Sequence, residues 1–326
     1  MTIVILEKKC RTNFFTFVSM NKTVLCIGAS LVDELYFCYN TIIAASSNPA
    51  QKATNLGGVM SNIAQHLALL EVNPAIITAI GNDADGSFIQ SGFNKSGISS
   101  NNSVVANEAT GKYVSILQPD GNLHVAVCQD NCSKYISVTY LETQTEYLKS
   151  FDILIIDTNL ESETIQWLIH FAKNNHNQLI IEPVSVAKAS KLAALDLNGV
   201  FMITPNEEEL TAMCTQDTLK EQLLVSLFDR GVQTIWLRKG AKGSAVYTAK
   251  NSIDLSVPTI QIVDSTGAGD AALAGWVFGY VNNQDEKTCL QLGHTLALET
   301  LKRKGTVDTS LTPATLYNHK KTYYND

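Results

Sequence analysis

Between residues 151 and 238, short apolar runs alternate with helical segments, and that rhythm narrows the possible folds more than any other feature of the chain. FDILIID (151–157), QLIIE (178–182), GVFMIT (199–204) and TIWLR (234–238) are the apolar runs, and segments near 161–174, 186–195 and 216–230 have helical character. Strands covered on both faces lose the polar alternation of a half-exposed sheet. Helices between consecutive strands supply the long crossovers that parallel pairing needs. The spacing therefore predicts a mostly parallel sheet with helices on both sides. TVLCIGAS (23–30) and AIITAIG (75–81) extend the series upstream, on either side of the amphipathic helix expected in GGVMSNIAQHLALL (57–70). Residues 34–55 have no helical period, and 103–107, 113–118 and 123–127 are short β-rich runs separated by Gly111 and a Pro119–Asp120–Gly121 turn. These predict antiparallel hairpins in a small separate β-layer.

A chain of 326 residues with 45% apolar content can bury one large α/β core. The net charge of −7 argues against a nucleic-acid polymer as partner. Phe14, Phe15, Phe17 and Val18 form an apolar run too short to span a membrane, and Lys8, Lys9 and Arg11 break the order of a signal peptide. Residues 1–21 thus read as an extension to a domain spanning 22–326, with no membrane contact expected. The seven cysteines are scattered, and Cys128 and Cys132 lack a second pair to complete a zinc site. They read as reduced thiols, which suits the cytoplasm.

DSTGAGDAALAG (264–275) is the stretch with most chemical content. The apolar run TIQIV (259–263) before it reads as a strand and Ala271 to Tyr280 after it as a helix, so Gly267, Ala268, Gly269 and Asp270 fall at a helix N-terminus. Glycines there let successive amides converge on one point, and the helix end favours negative charge. A plain glycine turn is one reading. A dinucleotide fingerprint is a second: Gly267, Gly269 and Ala272 match its spacing, but only about 55 residues follow and Asp270 would oppose a pyrophosphate. In the third, the amides form an anion hole for a phosphoryl group and Asp270 accepts the proton of the attacking hydroxyl.

Other segments support the third reading. GGVMSN puts Asn62 early on a helix that opens at Gly57 and Gly58, and Asp33 lies just past the first strand. Together they could bind a vicinal diol, although each alone could be a cap or turn residue. In TPNEEEL (204–210), Asn206 and Glu209 have the spacing of a capping box, and equally of an outer shell for Mg2+. LRKGAKGSAVY (237–247) places Gly240 and Gly243 between two strands, and no Walker A sequence occurs anywhere.

GGVMSNIA, NEEE and DSTGAGDA, in that order and spacing, resemble the signatures of the PfkB/ribokinase family of sugar and nucleoside kinases over about residues 22–310, and HTLALETLKRKGTV (294–307) is similar to the family's C-terminal helix. The resemblance implies a ribokinase-like three-layer α/β/α sandwich with a mostly parallel central sheet and a small β-lid, here about 34–56 and 100–130. It implies Asp270 as catalytic base, the 267–270 amides as anion hole, and Asp33, Gly57, Gly58 and Asn62 as acceptor contacts. It further implies Asn206 and Glu209 around Mg2+, with Arg238, Gly240, Gly243 and His294 beside ATP. Some members add a monovalent cation such as K+, for which Asp264 and Thr266 would serve. Leu56, Glu182 and Arg238 depart from the Pro, Asp and Thr or Ser usual in the family.

Within the family, NIAQHLALLEV (62–72), NLESETIQWLI (159–169) and EPVSVAKASKL (182–192) are similar to members that phosphorylate pseudouridine at its 5′-hydroxyl. The expected activity is ATP-dependent phosphorylation of such a nucleoside. Ribose or another sugar is the alternative acceptor, and a catalytically silent nucleoside-binding protein is the alternative class. Exposed lid edges suggest a homodimer.

Overall fold

The computed structural model describes residues 22–214 and 219–325. The 1–21 extension lies outside them. In chain order the strands are β1 (Val24–Ile27), β2 (Leu31–Cys38), β3 (Ala50–Gly57), β4 (Ala75–Ile77), β5 (Ala79–Gly81), β6 (Val104–Ala106), β7 (Lys112–Leu117), β8 (Leu123–Gln129), β9 (Ile153–Asp157), β10 (Gln178–Glu182), β11 (Val200–Ile203), β12 (Thr234–Arg238), β13 (Ser244–Thr248) and β14 (Ser252–Leu255). Eight of them form the central sheet in the order β14-β13-β12-β11-β10-β9-β1-β4. From β12 to β4 all pairs are parallel, while β13 and β14 return antiparallel at one edge.

Side-chain alternation along β1 shows how the layers close. Val24 and Cys26 enter one core with Met60, Ile63 and Trp276, and Leu25 and Ile27 enter the other with Ile165 and Leu168. All four β1 residues are buried, which explains the unbroken apolar sequence. The first core is closed by helices Val59–Leu69, Ala268–Val281 and Glu286–Leu301. Ala268–Val281 is apolar all round because it is enclosed by its neighbours. It crosses Glu286–Leu301 closely: a Cβ on Gly275 would stand 2.6 Å from the Leu292 carbonyl oxygen.

A second sheet, in the order β3-β2-β7-β8, stands apart from the first. It begins at Leu31, so Asp33 sits within β2 rather than on a loop past β1. The run at 103–107 does not join this sheet: β6 pairs in parallel with β5, which has separated from β4 at Thr78. Only β7 and β8 form the antiparallel hairpin expected there.

TIQIV (259–263) forms no strand. Ile262 and Val263 are exposed, and the segment crosses the rim of the main cavity, where Ile260 and Ile262 contribute apolar lining. Its β-branched residues therefore face a binding space, which imitates the pattern of a core strand. The helical region 186–195 divides into Val186–Ala189 and a 3-10 turn at Ser190–Ala194, and a further helix, Pro313–Tyr324, follows the family-like tail. Among the described residues the cysteines are free thiols, and no helix is long and apolar enough to cross a membrane.

Candidate active site

The carboxyl ends of the parallel strands open into a cavity of about 830 Å³, where open α/β sheets bind ligands. Ala29 beyond β1, Asn159 beyond β9, Glu182 ending β10, Asn206 beyond β11 and Arg238 ending β12 all reach it. Gly58 and Gly267 to Asp270 line it as well.

Two glycines begin the helices that meet there. Gly58 (φ 91°) and Gly267 (φ 76°) both adopt the left-handed region at their helix N-caps, where a side chain would be strained. Asp270 is the third residue of its helix. Its Oδ2 accepts a 2.9 Å hydrogen bond from Asn62 Nδ2. Asn62 Oδ1 accepts in turn from Thr306 Oγ1 at 3.2 Å, which fixes the orientation of the amide. Burial pushes Asp270 up to about 7, against the Asn62 hydrogen bond, which lowers it. The first amides of a helix lack intrahelical acceptors. Of these, the Ala268 N–H makes a long 3.4 Å contact with the Ser265 carbonyl, so Gly269 and Asp270 offer the freer donors.

Asp33 faces the cavity from the small sheet. Its register partner on β7 is Tyr113, and Tyr113 pairs with Cys128 on β8, so one cross-strand row lines the roof. A Cβ on Gly57 would stand 2.2 Å from the Asp33 carboxylate. Gly57 therefore backs Asp33 rather than lining the cavity. Among the described residues nothing hydrogen-bonds the Asp33 carboxylate, and burial pushes it up to about 7. Asn159 and Lys188 line the same cavity, where Asn159 accepts a hydrogen bond from Lys188.

Asn206 and Glu209 form the capping box: Asn206 Oδ1 accepts from the Glu209 amide at 2.8 Å, and Glu209 Oε2 from the Asn206 amide at 2.9 Å. Both also line the cavity, so the cap leaves Glu209 Oε1 and the side-chain nitrogen Nδ2 of Asn206 without a capping role. The Arg238 guanidinium donates to Glu182 Oε1 at 2.7 Å and lies 3.7 Å from Glu209 Oε2. Gly240, Gly243 and His294 reach the same cavity. His294 is held between Ser244 Oγ (2.7 Å) and Tyr324 OH (3.0 Å), and burial lowers it to about 4, so the ring is neutral.

Thr266 lines the cavity, but Asp264 does not. The Asp264 carboxylate accepts from the amides of Thr266 (2.9 Å) and Gly305 (3.2 Å), tying the glycine loop to the segment after the Glu286–Leu301 helix. Tyr113, Cys128, Asn159, Lys188 and Thr306 are site residues that sequence reasoning missed. No local pattern marks them, since register and crossover bring them in.

A family model described as pfkB family carbohydrate kinase matches residues 21–313. A pseudouridine kinase of Escherichia coli (strain K12) is 29% identical over 266 residues, covering 78% of this chain and 84% of that protein. The structure of Arabidopsis thaliana ribokinase complexed with ribose and ATP superposes with a TM-score of 0.79 at 21% identity, covering 93% of this chain and 99% of that one. A candidate ribokinase II of E. coli in complex with ATP and Mg2+ does so with a TM-score of 0.80 at 17% identity, covering 92% and 99%.

Proposed function

The chain belongs to the pfkB family of carbohydrate kinases, and on that premise we propose that it transfers the γ-phosphoryl group of ATP to the 5′-hydroxyl of a ribosyl nucleoside, pseudouridine foremost. One observation carries the reading: a carboxylate, Asp270, stands on the free amides of a helix N-terminus inside the cavity, hydrogen-bonded to Asn62. Asp33, on the roof of the same cavity and without a hydrogen-bond partner among the described residues, supports ribose hydroxyls as the group that would occupy it. The choice of a nucleoside rests on the similarity to the E. coli pseudouridine kinase and on the cavity's continuation past Asp33 to Tyr113, Cys128, Asn159 and Lys188.

In this reading Asp33 and Asn62 grip the sugar and set the primary hydroxyl beside Asp270. The acceptor oxygen bonds to the γ-phosphorus while the bond to the β–γ bridging oxygen breaks. The electron pair leaves with ADP and the hydroxyl proton passes to Asp270. The Gly269 and Asp270 amides hold the charge that develops on the phosphoryl oxygens. A raised carboxylate near 7 is a better proton acceptor than an ordinary one. Gly240, Gly243 and His294 would flank the nucleotide.

Asn206 and Glu209 fit a hydrated Mg2+: the cap engages Glu209 through Oε2 and leaves Oε1 on the cavity beside Asn206, few oxygen donors of the kind that hold metal-bound waters. When bound, Mg2+ would offset charge on the donor phosphates. A K+ contribution at the Asp264–Thr266 loop belongs to the same reading, measured as activity in K+ against equal choline. The small sheet would act as a lid that excludes water. Its outer strand exposes Leu123, Val125 and Val127, and we propose that two such sheets pair in a dimer, which the mass from size-exclusion chromatography with light scattering would reveal. Dependence on ATP and the free thiols of the described residues fit the cytoplasm.

The test is a coupled ADP-release assay over pseudouridine, uridine, adenosine and ribose, with pseudouridine expected to give the highest kcat/KM. Ribose turned over while pseudouridine is ignored would make the protein a ribokinase. Nucleoside binding with no turnover of any acceptor would make it a silent binding protein.

A further inference from the structure

Two of the three departures from the family pattern touch each other. Residue 238 is Arg and residue 182 is Glu, and they form a 2.7 Å ion pair whose side chains are 17% and 4% exposed. Glu182 is held from its other side: Thr204 Oγ1 donates to Oε2 at 2.7 Å and the Val184 amide to Oε1 at 3.3 Å. Arg238 is equally constrained at its backbone, where its amide donates to the Pro205 carbonyl at 2.8 Å. The guanidinium plane is thereby fixed over the glycine loop. A Cβ on Gly269 would stand 2.6 Å from Arg238 Nη1, so the cation lies against the amide cradle itself.

Resting on the kinase reading, we infer that Arg238 is a catalytic residue that contacts the transferring phosphoryl group, and that Glu182 is its positioning residue. Glu182 engages Nη2 and leaves Nη1, the nitrogen nearest Gly269, directed at the cradle. An anion held by the Gly269 amide would sit within hydrogen-bond reach of it. Arginine suits that position because its planar fork can bind a carboxylate on one side and a phosphoryl oxygen on the other without changing protonation. As the bond to the β–γ oxygen breaks, charge spreads over the equatorial oxygens, and a cation already fixed in place stabilises it with no reorganisation. Asp270 takes the proton and Arg238 takes none. Glu182 makes its hydrogen bonds to Thr204, Val184 and the guanidinium, and its only other reach into the site is a like-charge repulsion that raises Asp270 and that Arg238 opposes.

Removing Arg238 alone would strand a buried carboxylate, so the informative variant is the pair E182Q/R238A, assayed with pseudouridine and ATP–Mg2+ beside wild type and D270N. We expect near-native melting, a kcat lower by about 10³, KM values for ATP and acceptor within about fivefold, and at least tenfold recovery on adding millimolar guanidinium. E182Q alone should lower kcat about tenfold at unchanged KM, because the fork is present but unheld. R238K, which keeps the charge without the fork, should lose at least about tenfold in kcat and supplies the same measurement if the double variant melts early. A folded variant with kcat within threefold of wild type, or a loss confined to KM, or no response to guanidinium, overturns the inference. Wild type inactive on every acceptor would instead sink the kinase reading itself.

Discussion

Replacing Asn62 by Leu tests the link between the two glycine-capped helices most directly. Leu branches at the same carbon and removes both side-chain hydrogen bonds of Asn62, the 2.9 Å one donated to Asp270 Oδ2 and the 3.2 Å one accepted from Thr306 Oγ1, of which only the first acts on the carboxylate. Burial raises Asp270 to about 7 and that hydrogen bond opposes the rise. A hydrogen bond to a charged group is worth about 1.5–3 kcal/mol, and one pKa unit is about 1.4 kcal/mol. Its loss should therefore raise the carboxylate by a further one to two units or so. A proton acceptor works only when ionised, so kcat/KM rises with pH through the pKa of the free enzyme. The wild-type acid limb should lie near 7, with Asp33 adding a second proton to its slope. In the variant, one step of that limb should move to about 8–9. At pH 7 this lowers the ionised fraction of Asp270 from about half to roughly a tenth or less, before any loss of acceptor grip. The ADP-release assay at saturating ATP from pH 5.5 to 9.5 reads the shift, and the limb's position is independent of a change in KM. A limb that stays near 7 while activity falls would refute the coupling and leave Asn62 as an acceptor contact only.

D270N should keep nucleoside binding by calorimetry while turnover falls by at least about 10². It should also melt higher than wild type by a margin that grows between pH 4 and pH 8: a carboxylate raised to about 7 in the folded state holds its proton while the unfolded one has lost it, so stability declines as pH climbs through that window. T306V removes the hydroxyl that orients the Asn62 amide, and should cost several-fold in kcat/KM with about 1 kcal/mol or less of stability in urea unfolding. G275A drives a methyl to within 2.6 Å of the Leu292 carbonyl, and should lower stability by about 1–3 kcal/mol through a forced shift of two helices, with the pH profile unchanged in whatever activity survives.

By itself the sequence determined what depends on neighbours along the chain. A run of buried aliphatic residues specifies a strand covered on both faces, and a glycine pair or a Gly-Ala-Gly before a small-residue helix specifies an amide cradle, because φ and ψ preferences and local hydrogen bonds act over a few residues. Asp270, Gly58, Asn206 and Glu209 were legible on those grounds. TIQIV was misread for a related reason: apolar β-branched residues signal burial against something, and the chain alone does not say whether that is a core or a cavity rim.

Only the tertiary structure decided which distant groups meet. The Asn62–Asp270 bond spans 208 residues and the Arg238–Glu182 pair spans 56. The row Asp33–Tyr113–Cys128 exists only in one register, since a slip of one residue would turn every side chain in it to the opposite face. Such contacts are set by how sheets and helices pack, and burial then alters the chemistry of the groups that meet. Asp33 and Asp270 are ordinary carboxylates in the written chain, and become groups titrating near neutrality once folding removes them from water.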